Sequence, residues 1–182
     1  MLGPVLVGLV LTGCSSGTGS GGPAMMSPGS QYHSSRLTCA APGSLPGRTV
    51  AVSMGDMGMT SMMAGTASRS AQMRLQARPT TEPAGRISFV AANTGWRTHE
   101  LVILPLAGST AEGLRTPGPD GKVSETGSLG EASRSCAGGA GTGITSGAVG
   151  WVTVRLKPGR YELLCNLPNH YADGMHQELV IT

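Results

Sequence analysis

The chain has 182 residues, of which 29 are glycine and 12 proline, more than a fifth of its length against an average of about 12%; charged residues reach only 13% against about 25%. That balance argues against a helical bundle and suits short strands joined by turns, with 39% apolar residues to build a modest core. A net charge of +3 without a clustered run of Lys and Arg, and only two Trp, three Tyr and one Phe, argue against nucleic-acid binding: neither a phosphate-tracking stripe nor a base-stacking platform is present.

Leu2–Gly13 is a twelve-residue apolar run. A membrane-spanning helix needs about 20 residues, so the run reads as the apolar part of an export signal over residues 1–13, although Met1 places no positive charge ahead of it. Leu11-Thr12-Gly13-Cys14 resembles a bacterial lipobox. That resemblance implies a diacylated Cys14 at the mature N-terminus and an extracytoplasmic protein anchored by lipid to the bacterial cell membrane. The alternative is a secreted protein with an unmodified Cys14. Residues 14–47, rich in Gly, Ser and Pro, read as lipid anchor and flexible tether, and ordered structure is expected over 48–182.

Period-two alternation then marks the strands. Thr49–Met54 places Val50, Val52 and Met54 on one face, Ala71–Arg78 places Met73, Leu75 and Ala77, and Arg86–Ala92 places Ile87, Phe89 and Ala91. His99–Leu106 is a near-continuous apolar run, as in a strand buried on both faces. Trp151–Leu156, Tyr161–Cys165 after a Pro158-Gly159 turn, and Gln177–Thr182 complete the set. Seven or eight strands of this kind predict an all-β Greek-key sandwich. Residues 107–148 interrupt the pattern with 11 glycines in 42 positions and read as a partly ordered surface insertion. Within it, Ser128-Leu129-Gly130-Glu131 has the spacing of a helix start, weakened by its glycine.

The main chemical signal lies between the last two predicted strands. Cys165-Asn166-Leu167-Pro168-Asn169-His170-Tyr171-Ala172-Asp173-Gly174-Met175 has the spacing C-x4-H-x4-M. Chance supplies about 0.08 such triplets in a chain of this composition when the gaps are allowed to vary, so spacing alone is moderate support. Context strengthens it: Pro158, Gly159 and Tyr161 lead into Cys165, and His99 opens the buried strand upstream. A thiolate favours Cu(I), imidazole suits both copper oxidation states, and a thioether adds a weak axial contact. Each residue also has an ordinary alternative. Cys165 suits a core thiol or a disulfide, His99 a polar strand end and His170 an exposed loop. Met175 suits plain core, because it shares parity with Leu179 and Ile181. His33, in the tether, and His176, of opposite parity to Met175, are not taken as ligands.

These features resemble the cupredoxins, the small blue copper proteins, and most nearly their sulfocyanin and rusticyanin-like branch. The resemblance covers roughly Arg48–Thr182. It implies one type 1 copper site in which His99, Cys165 and His170 form a trigonal plane and Met175 is axial, with the His170 imidazole near the surface as the electron port. Glu100 departs from it: many members carry a small polar residue after the first histidine, where it hydrogen-bonds to the ligand loop.

With Cys14 assigned to lipid and Cys165 to metal, Cys39 and Cys136 remain, either bridged in an oxidising compartment or as two free thiols. Met57, Met59, Met62 and Met63, in a Gly/Ser-broken segment, suit either Cu(I) gathering or adaptable packing. The expected function is single-electron transfer, as a monomer, to or from a redox protein or membrane respiratory complex. The alternatives are a Cu(I) chaperone or scavenger and a metal-free structural lipoprotein. No hydrolytic constellation stands out, and four protein ligands leave no open position for a substrate, so an enzyme is not expected.

Overall fold

The computed structural model of the chain describes residues 34–56 and 73–182. These form ten strands and no helix: β1 (Arg48–Asp56), β2 (Met73–Arg78), β3 (Thr81–Glu82), β4 (Gly85–Asn93), β5 (Leu101–Pro105), β6 (Gly130–Ala132), β7 (Ala137–Gly138), β8 (Val149–Leu156), β9 (Gly159–Leu164) and β10 (His176–Ile181). They pair as two five-stranded sheets, ordered β2-β1-β4-β8-β7 and β3-β10-β9-β5-β6. Non-sequential neighbours (β1 beside β4, β4 beside β8, β5 beside β9) carry the crossovers of a Greek-key sandwich. The all-β expectation therefore holds.

Alternation explains the layering. Val50, Val52 and Met54 of β1, Met73, Leu75 and Ala77 of β2, and Ile87, Phe89 and Ala91 of β4 turn inward. They meet Leu101, Ile103, Leu163, Leu179 and Ile181 of the facing sheet in one core. Each large apolar side chain fully buried this way contributes about 1.5–3 kcal/mol. β5 is buried on both faces, as its sequence predicts: Val102 and Leu104 turn outward into a second cluster with Val123, Leu164 and Tyr171.

The insertion departs from its reading as a surface excursion. Val123, Ala132, Ile144 and Ala148 are all buried, and the segment supplies β6 to one sheet and β7 to the other. No helix starts at Ser128. Leu129 donates its N–H to the Ile103 carbonyl at 2.9 Å, and β6 pairs Gly130 with Ile103 and Ala132 with Leu101. Glycine makes this approach possible, because a Cβ on Gly130 would stand 2.5 Å from Val154 Cγ1.

Ordered contacts also begin before the expected start at Arg48. Ser35 N–H bonds to the Thr94 carbonyl and Thr38 N–H to the Gly147 carbonyl, each at 2.7 Å. Cys39 and Cys136 form a disulfide with a Cα–Cα distance of 5.8 Å, while Cys165 is free and buried. The readings of residues 1–33, including the Cys14 lipidation site and His33, and of Met57, Met59, Met62 and Met63 lie outside the described residues.

The bridge closes a loop of 97 residues in sequence separation. Replacing both cysteines, C39A/C136A, is expected to lower the unfolding free energy in a urea titration by up to about 4.7 kcal/mol, because a closed loop near that length removes about that much chain entropy from the unfolded state. An unchanged midpoint would contradict this.

Candidate metal centre

His99 lies just before β5, on the segment that returns from β4. Asn93, at the end of β4, shapes that return. Its Nδ2 donates to the Arg97 and Ile144 carbonyls, each at 2.7 Å, and its Oδ1 accepts the Gly95 N–H at 2.9 Å. His99 and Ile144 exchange backbone hydrogen bonds at 3.1 and 2.7 Å, so the insertion holds both the N–H and the carbonyl of the histidine. The imidazole is fully buried, and its Nε2 lies 3.1 Å from Asp56 Oδ2. Burial alone would raise the Asp56 carboxyl. Hydrogen bonds from His99 and from the N–H groups of Trp96 and Arg97 outweigh it and hold the group below the usual carboxylate range.

The other donors come from the loop between β9 and β10. Cys165 N–H bonds to the Met175 carbonyl at 3.0 Å, Met175 N–H to the His170 carbonyl at 3.1 Å, and His170 N–H to the Leu167 carbonyl at 3.0 Å. The C-x4-H-x4-M spacing therefore closes on itself, with Asn169 in the left-handed region (φ 69°) that asparagine tolerates better than most residues. His170 Nδ1 lies 3.2 Å from His99 Nδ1 and 3.3 Å from Cys165 Sγ. All three donor atoms fall within 4.8 Å of one another. Met175, at the end of the same loop, is fully buried and shares the core cluster of Cys165. His99 and Cys165 are sealed, and His170 alone of the three keeps some exposure, 8%.

The donors fit a soft cation. Metal–nitrogen and metal–sulfur bonds of about 2.0–2.3 Å in a trigonal plane space the donors about 3.5–3.7 Å apart, within a few tenths of an ångström of the two separations seen here. One thiol, two imidazoles and a thioether form a set that suits copper better than a hard, oxygen-seeking ion. Burial pushes the Cys165 thiol up to about 12, although the N–H groups of Leu167 and Glu100 oppose this; the Glu100 N–H lies 3.3 Å from Sγ. Burial, then the electrostatic influence of the His99 ring and of Arg97, push His170 down to about 4. At neutral pH, Cys165 alone is thus a thiol and His170 a neutral imidazole; a cation displaces the thiol proton.

A polar strap from the insertion covers the loop. Asn166 accepts the Val123 N–H at 2.8 Å and donates back to the Val123 carbonyl at 2.9 Å and to Glu125 Oε1 at 2.6 Å. Asn169 N–H bonds to the Gly121 carbonyl at 2.9 Å. Glu162, fully buried on β9, accepts from Arg115, from Gly113 N–H at 2.7 Å and from Tyr171 at 2.9 Å. Glu100 resolves the departure noted in the sequence. Its backbone N–H meets the Cys165 sulfur, and its carboxyl faces the Asn166 backbone N–H, so the link to the ligand loop exists. Burial, then repulsion from Glu131, lift this carboxyl to about 7. His176 stands apart from the cluster, against the Tyr171 ring at 5.1 Å between centroids.

Sequence reasoning missed Asp56, Asn93, Asn166 and Glu162. Asp56 carried a signal, because it continues the inward parity of Val50, Val52 and Met54, where an acid needs a reason to be. Asn166 and Glu162 carried none, since their partners come from an insertion without periodicity.

No family model and no curated protein matches this chain. Among solved structures it is similar to auracyanin from the photosynthetic bacterium Roseiflexus castenholzii, at 22% identity over 58% of this chain and 86% of that one, with a TM-score of 0.41. It is also similar to auracyanin B, at 20% identity over 84% and 98%, with a TM-score of 0.45. Rusticyanin from Thiobacillus ferrooxidans matches at 16% over 83% and 97%, with a TM-score of 0.42.

A sealed thiol with so high a pKa should be inert. In metal-free protein carrying C14S, Cys165 is expected to resist an aromatic disulfide reagent at pH 8 until the chain unfolds, and then to give one thiol per chain. Prompt reaction of the folded protein would contradict the burial. The folded thiol titrates above its ordinary value of 9.0, so raising pH through and beyond that value weakens the metal-free fold.

Proposed function

We propose that this protein is a mononuclear copper carrier of single electrons, working outside the cytoplasm as a monomer rather than as an enzyme. One observation carries the reading: the buried convergence, at 3.2 and 3.3 Å, of the His99 donor atom with those of His170 and Cys165, the latter two on a loop closed between two strands. His99, Cys165 and His170 would hold the ion, with Met175 as the weak fourth donor. Copper bound there would supply one-electron exchange between its two common oxidation states. The chain's own contribution is to keep the donors in place. The Ile144 bridge, the loop closure through Met175 and the insertion strap resist the change of geometry that either oxidation state alone would prefer.

The slight exposure of His170 supports a path for electrons through its imidazole. The disulfide supports an oxidising compartment. The cupredoxin resemblance, in which such sites serve electron transfer, supports a redox protein or a membrane respiratory complex as partner. Cys14 as a lipid anchor belongs to the same reading, because confinement near a membrane raises the effective concentration of a carrier.

A second reading, Cu(I) chaperone or scavenger, is favoured by one placement. Asp56 and Met73, which flank the methionine-rich segment, pair with each other, and Asp56 touches His99. The two residues that bracket Met57, Met59, Met62 and Met63 in sequence thus both lie at the metal-binding end.

Copper-loaded protein is expected to show strong visible thiolate-to-Cu(II) charge-transfer absorption, abolished in C165S, and reversible one-electron voltammetry. Failure of the unaltered chain to develop that absorption would overturn the carrier reading. Under the chaperone reading, replacing Met57, Met59, Met62 and Met63 together spares the absorption but lowers the number of Cu(I) ions bound per chain; an unchanged number would refute it.

A further inference from the structure

We propose that Asp56 is the positioning residue that presents His99 to the metal and biases the centre toward the oxidised ion; this rests on the copper reading above. The carboxylate is built into place. It lies at the end of β1 on the inward parity and is 2% exposed. Oδ1 accepts the Trp96 N–H at 2.8 Å, and Oδ2 accepts the Arg97 N–H at 2.7 Å and meets His99 Nε2 at 3.1 Å. Gly95 leaves room for it, since a Cβ there would stand 2.8 Å from Oδ2. Two backbone donors thus fix the acid before the histidine is considered.

A carboxylate only accepts, so Nε2 of His99 is the protonated nitrogen. The nitrogen facing His170 and Cys165 is then Nδ1, with its lone pair directed into the donor cluster. The contact selects one of two tautomers and the ring orientation that goes with it. It also has a charge consequence. A buried anion one imidazole away from a metal increases the basicity of that ligand and favours the higher metal charge. Glu100, the other buried acid nearby, faces Asn166 and Glu131 instead, so it does not duplicate this role.

Two measurements test the proposal. In the unaltered metal-free protein, nitrogen-15 NMR of His99 should show the proton on Nε2; a proton on Nδ1 with Nε2 bare would overturn the assignment without any variant having to fold. In D56N the amide oxygen still accepts from Nε2 and the Arg97 N–H while the charge and the Trp96 contact are gone. The charge-transfer absorption is expected to persist, while Cu(II) affinity falls about tenfold relative to Cu(I), a rise in reduction potential of about 59 mV. In D56A the tautomer preference should also be lost. An unchanged potential in copper-loaded D56N would overturn the bias. If the unaltered chain develops no charge-transfer absorption, the copper reading fails and the bias with it, whereas the tautomer measurement still judges whether Asp56 sets His99.

Discussion

The exchange of backbone hydrogen bonds between His99 and Ile144 is the constraint on which the rest of the centre depends. His99 lies outside the regular part of β5, so no sheet ladder holds it directly. The bridge to Ile144, the Asn93 side chain that also reaches the Ile144 carbonyl, and the fully buried Ile144 side chain replace that ladder. A histidine at the end of a strand would otherwise turn to water, because solvating an imidazole costs less than burying it. Once it is held inward, Asp56 can meet one ring nitrogen and His170 the other.

The second requirement is closure of the Cys165–Met175 loop, and here one sheet and the insertion divide the work. The sheet containing β9 and β10 sets the loop ends through their register, His176 opposite Leu164. The insertion sets the loop's outer side through Asn166, Asn169 and Tyr171. Buried polar contacts of this kind add little net energy when satisfied but cost about 1–3 kcal/mol each when one partner is lost. They therefore specify one conformation more than they stabilise the fold as a whole.

The regular part of this architecture was legible because its physics is local and periodic. Val50, Val52 and Met54, or Ile87, Phe89 and Ala91, announce an inward face by alternation alone. The candidate donors were legible for another reason: Cys165, His170 and Met175 sit on one loop whose spacing is short enough to read directly. Residues 107–148 resisted reading because glycine carries no periodic signal. Gly130 lies in a strand since only a residue without a side chain fits against Val154, and that fact belongs to a neighbour distant in sequence. Asp56 was passed over among the methionines that follow it, although its parity with Met54 placed an acid where an apolar residue was due.

The attachment of Ser35 and Thr38 beside Thr94 and Gly147 has a mechanical consequence. Traction applied through the N-terminal side of the chain enters the molecule at the turn leading to His99, not at the opposite pole. The hydrogen bonds of Ser35 and Thr38, through backbone N–H groups and hydroxyls alike, take the first load. Peeling then stops at Cys39, whose covalent link to Cys136 passes the force into the insertion and spares β1.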